Sequence, residues 1–91
     1  MYLLITYDIS SDKKRRKVEK LLSKNGVRVN KSVFECEIKK HNFSSLSKEL
    51  KSYLEKEDSI RIYHIDLFTI KNSIELNKKL KNPFEKEDSY V

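Results

Sequence analysis

Glycine, proline and cysteine each occur only once in these 91 residues. A single cysteine, Cys36, cannot close an intrachain disulfide, and no pair of side chains stands at zinc-ligand spacing. With Gly26 as the one glycine there is no glycine-rich loop to cradle a phosphate. His41 and His64 fall on different elements with no spaced partner, so no histidine base or metal cluster is indicated, nor any Ser-His-Asp constellation. No apolar run approaches bilayer length and no basic-then-apolar leader precedes the first strand, so the chain reads as cytoplasmic and without membrane contact. Internal repeats and low-complexity tracts are also missing.

What the chain has is charge. Lys and Arg number 20 against 14 acids, a net charge of +6 and a pI near 9.4. Such a balance suits a polyanionic partner, DNA or RNA, or else serves solubility alone. Hydrophobic and charged residues each make up 37 %, and a single small domain of this composition buries a limited core, so a partner covering further apolar surface is expected.

Met1-Tyr-Leu-Leu-Ile-Thr-Tyr-Asp8-Ile9 reads as a buried strand that stops at an acid. Leu3, Ile5 and Tyr7 share one face, and Tyr2, Leu4, Thr6 and Asp8 the other. Both faces are largely apolar; helices cover one, and a second copy of the chain is expected on the other. Ser10, Ser11 or Asp12 caps a helix running to about Asn25 and stopped by Gly26, with Val18, Leu21 and Leu22 as its apolar stripe. Val27–Asn30 and Ser32–Ile38 read either as a tight hairpin or as one long bulged strand, because no Asn-Gly or Asp-Gly marks a turn. Phe43, Leu46, Leu50, Tyr53 and Leu54 recur at helical intervals, with Asn42 or Ser44 as cap. The last strand is Ser59–Ile65, with a possible extension to Ile70. In the tail, residues 71–91, Ile74, Leu76 and Leu80 stand at loosely helical spacing, and Pro83 argues against one continuous helix.

Asp8 is the leading chemical candidate. A carboxylate fixed at a strand end can hold a hard cation such as Mg2+, which takes one or two carboxylates plus water and phosphate oxygens. If two sheets pack face to face, two copies of Asp8 can share that ion across the twofold axis. Alternatively, Asp8 accepts amides of the strand-to-helix turn. Lys13, Arg16, Lys17, Lys20 and Lys24 form a cationic side of the first helix. Cations in a helix's first turn oppose its macrodipole, so phosphate binding explains the start of this cluster better than propensity, beside the simpler reading of a solvated face. Arg15 lies at the edge of the apolar stripe and points toward the end of the first strand, either to grip a phosphate with its guanidinium fork or to form a salt bridge. Tyr7, Phe34 and Tyr63 can stack on bases or fill the core.

The ordered pieces Tyr7-Asp8-Ile9, Asp12, Arg15, Gly26, Arg28-Val29, Ser32-Val-Phe-Glu35 and Asp58-Ser-Ile-Arg-Ile-Tyr63 resemble the CRISPR-associated protein 2 family, the small subunit of the spacer-acquisition machinery. No counterpart is identified for the tail after Asp66. The resemblance selects the hairpin over the bulged strand, and with it an α+β, ferredoxin-like βαββαβ core over residues 1–70: an antiparallel sheet, two helices on one face, and a sheet-to-sheet homodimer on the other. In the tail, Asp88–Val91 would add a short strand to the partner's sheet. The resemblance further implies a metal-dependent endonuclease, on RNA or duplex DNA, with Asp8 holding Mg2+ and Arg15 and Arg28 positioning the backbone. It also implies a partner, the CRISPR-associated protein 1 integrase, for which a non-catalytic DNA-binding scaffold is the alternative role. Two positions depart from the family's pattern: Lys17 where a second arginine is frequent, which weakens bidentate phosphate binding there, and Asn30 where glutamine is frequent.

Overall fold

Alternation along the first strand decides the architecture. In the computed structural model, which describes residues 1–77 and Phe84, β1 (Tyr2–Asp8) buries Leu3, Ile5 and Tyr7 and leaves Tyr2, Leu4 and Thr6 half-buried and Asp8 exposed. β1 lies inside a four-stranded sheet of order β2-β3-β1-β4, formed with β2 (Gly26–Asn30), β3 (Val33–Glu37) and β4 (Ser59–Ile65). All neighbours are antiparallel, with Ile5 opposite Phe34 on one side and Ile62 on the other. Together with α1 (Asp12–Ser23) and α2 (Phe43–Ser52), this is the expected ferredoxin-like α+β fold.

Both helices are amphipathic and dock on the Leu3/Ile5/Tyr7 face. Val18 and Leu22 of α1 and Leu46 and Leu50 of α2 complete one core cluster with Phe34, Cys36 and Ile38. Ser11 caps α1, its Oγ accepting from the Lys14 amide at 3.3 Å. The helix ends at Ser23, two residues before Asn25. Gly26 is not its stop signal: it opens β2 with an ordinary negative φ, and the need for glycine is steric. A Cβ there would lie 2.1 Å from the Glu35 carbonyl oxygen and 2.7 Å from the Cys36 Cα.

The hairpin expected from family resemblance forms, and it also carries an irregularity, a register shift between Arg28 and Asn30. Without a glycine turn, the reversal at Lys31-Ser32 is held by side chains: Asn30 Oδ1 accepts from the Lys31 amide at 2.8 Å, and Arg28 Nη2 donates to the Lys31 carbonyl at 2.6 Å. Asn42 precedes α2 but its side chain makes no capping bond; a short 3-10 turn, Lys40–Asn42, leads into the helix instead.

The extension of the last strand to Ile70 is overturned. Asp66 Oδ1 accepts from the Thr69 amide at 2.7 Å and starts a short helix, α3 (Leu67–Lys71), which buries Ile70. A capping acid followed by an apolar residue one turn on outweighs strand propensity here. Beyond it, Ile74 and Leu76 are exposed and outside any helix. Leu80, Pro83 and the short strand expected at Asp88–Val91 lie outside the described residues. The ring of Phe84 meets that of Tyr2 edge-on at 5.6 Å.

Candidate metal and nucleic-acid site

Asp8 closes β1 opposite Ser59, the first residue of β4, and is exposed. Other groups satisfy the turn that follows it. Ser11 caps α1, and Asp58 accepts from the Ser10 amide at 3.1 Å, the Ser10 hydroxyl at 3.2 Å and the Glu55 amide at 2.9 Å. The amide-accepting role open to Asp8 is thus filled by Asp58, and among the described residues the Asp8 carboxylate has no hydrogen bond or ion pair. The Glu55 and Ser10 amides hold the Asp58 carboxyl below the usual carboxylate range, more strongly than its partial desolvation raises it. Sequence reasoning gave Asp58 no role because its Ser10 partner lies 48 positions away.

Arg15 does not reach Asp8. Its Nη1 donates to the Ile9 carbonyl at 3.1 Å and its Nη2 pairs with Asp12, so it braces the main chain one residue past the acid. Arg28 departs further from expectation. Opposite Phe34 in the register, it projects from the helix-covered face, where Nη2 meets Glu19 at 2.9 Å. Asp8, on the same side as Thr6, leaves from the opposite face. Within one chain the grouping of Asp8 with Arg28 as joint catalytic residues is therefore not formed, for the period-two alternation of strands separates them.

Tyr7 and Phe34 are core residues rather than base-stacking platforms, with 5 % and 1 % exposure. Their rings pack 6.2 Å apart. The Tyr7 hydroxyl donates to Glu19 Oε2 at 2.5 Å and lies 3.0 Å from the Lys31 carbonyl oxygen. Burial first, and Glu19 second, push this phenol up to about 12. Tyr63, 44 % exposed, is the one of the three aromatic candidates that remains accessible.

Lys13, Arg16, Lys17 and Lys20 are all exposed on α1. Lys17 Nζ sits 5.9 Å from the Tyr53 ring, and the neighbouring Lys14 pairs with Glu55 at 3.1 Å. Lys13, Arg16 and Lys20 have no acidic partner among the described residues, which leaves them available to phosphates.

Residues 1–73 match the family model described as CRISPR associated protein Cas2. The chain belongs to that family. It is 44 % identical over 68 residues to the CRISPR-associated endoribonuclease Cas2 3 of Synechocystis, covering 74 % of each chain. Among solved structures it resembles Streptococcus pyogenes Cas2 at pH 6.5, with 31 % identity and a TM-score of 0.73 over 85 % of this chain and all of that one. It is also similar, at 34 % identity and a TM-score of 0.72 over 84 % of each chain, to a chain of a partial Cas6-RT-Cas1–Cas2 complex.

The donor set of this Cas2-family chain is sparse. Among the described residues no three His, Cys, Asp or Glu side chains gather to hold a metal ion. One free carboxylate at the edge of an open sheet face still suits a hard cation whose other ligands are water and phosphate. His64 is no candidate base on that face, since its ring packs 5.4 Å from that of Phe43. No helix among the described residues is long and apolar enough to cross a membrane.

Proposed function

We propose that this Cas2-family chain acts in CRISPR spacer acquisition as a homodimer joined through the open face of its sheet, binding nucleic acid and cleaving phosphodiester bonds with Mg2+ held by two copies of Asp8. The observation that carries this reading is the free Asp8 carboxylate, in a turn whose other polar side chains are engaged. A bound magnesium ion would supply an activated water and offset charge developing on the phosphate. The protein's part is to hold the ion with Asp8 and to draw in the polyanion with Lys13, Arg16 and Lys20. The relative named an endoribonuclease supports a nuclease role. The likeness to a chain of a complex that contains Cas1 supports the CRISPR-associated protein 1 integrase as partner.

The cationic side of α1 also favours a second reading, a DNA-gripping scaffold for that integrase without catalysis of its own. Magnesium-dependent cleavage of labelled single-stranded RNA and duplex DNA decides between them, comparing the intact protein with a folded, dimeric Asp8→Ala variant. Loss of cleavage in the variant, and with chelator, supports the nuclease. Equal cleavage by both proteins sinks the Asp8 site, and binding without cleavage by either assigns the scaffold.

A further inference from the structure

We propose that Arg61 is the arginine that grips a backbone phosphate of the nucleic acid beside Asp8. Arg61 stands on β4 opposite Thr6, while Asp8 stands opposite Ser59, so strand alternation projects Asp8 and Arg61 from the same face as diagonal cross-strand neighbours. Diagonal pairs lie roughly 7–8 Å apart, within reach of a long side chain. A phosphate bound at Asp8 through a cation thus falls inside the sweep of the Arg61 guanidinium.

The state of the other arginines makes this assignment specific. Arg15 is committed to Asp12 and the Ile9 carbonyl, and Arg28 to Glu19 and the Lys31 carbonyl on the far face. Arg61 is exposed on an edge strand and has no acidic partner among the described residues. Its Nη1 donates to the neutral Tyr63 hydroxyl at 3.3 Å, a contact that steadies the side chain without consuming its charge. Among the residues of the four strands it is the only Lys or Arg on the open face, which also carries Glu35 and Glu37. A planar guanidinium fork can hold two phosphate oxygens at once, as a lysine cannot.

The inference rests on the Asp8 reading for its chemistry, and the test separates the two. Binding of a labelled single-stranded RNA oligonucleotide in magnesium is followed against salt for the intact protein, Arg61→Ala, Arg61→Lys, Asp8→Ala and the double variant with alanine at both positions. Arg61→Ala should bind about tenfold more weakly, with a salt slope lower by about 0.7–1, the share of one phosphate. Its loss should be smaller in the Asp8→Ala background, because both groups hold one phosphate. Arg61→Lys should recover the slope but less than half of the cleavage rate. If the intact protein does not cleave, the nuclease reading fails while the binding data still decide on Arg61. Unchanged affinity and slope in Arg61→Ala, strictly additive losses, full recovery of cleavage by lysine, or dissociation of Arg61→Ala into monomers on light scattering would each overturn the proposal.

Discussion

A methyl group at position 26 has nowhere to go. Its nearest neighbours are backbone atoms of Glu35 and Cys36, at 2.1 and 2.7 Å, so Gly26→Ala can be accepted only by parting β2 from β3. We expect that variant to lose about 1–3 kcal/mol of stability, as overpacked sites do, measured by urea unfolding; an unchanged midpoint would exclude the steric role. At this scale the sequence was legible where chemistry is local. Asp8 ends an apolar run, and Cys36 sits mid-strand as a small buried residue at 0 % exposure. The shared partner of Arg28 and Tyr7, Glu19, is on α1, and nothing in their spacing along the chain reveals it.

Between elements, Asp58 joins the loop after β1 to the loop before β4 through Ser10 and Glu55. Its folded-state carboxyl lies below the ordinary 3.8, so the native state binds fewer protons there than the unfolded chain. The resulting stability is fully present above that ordinary value and drains away as pH falls through the folded pKa. Asp58→Ala should therefore be less stable at pH 7 and lose less on acidification to about pH 3, as read by urea unfolding at the two pH values. Equal losses in both proteins would deny Asp58 this role. Helices α1 and α2 could be placed from their apolar periodicity, whereas α3 could not. Leu67–Lys71 continues an apolar pattern out of β4, and only the Asp66 cap turns it into a helix.

For the whole molecule, one sheet face is covered by helices and the other keeps Leu4 half-buried and Tyr63 exposed. Association through that face would bury these side chains and bring two Asp8 carboxylates together across a twofold axis. The expected outcome is a dimer at micromolar concentration by light scattering, with Tyr63→Glu shifting it toward monomer. A monomeric intact protein would remove the shared-metal site. Acids repel across such an axis, so the dimer should tighten when Mg2+ is added if the ion bridges them.

The order β1, α1, α2 and β4, the amphipathic stripes of the two long helices and the candidacy of Asp8 were determined by the sequence, because periodicity and chain order are local properties. The hairpin is not legible from local residues alone, since its turn lacks a glycine signal and is held by the side chains of Asn30 and Arg28. Which arginine shares a face with Asp8 was decided only by the tertiary structure. That choice depends on strand register: pairing Thr6 with Arg61 and Phe34 with Arg28 sends the two guanidinium groups to opposite sides of one sheet. A shift of one residue in each of these two pairings would have exchanged them, and the spacing of arginines along the chain carries no record of either register.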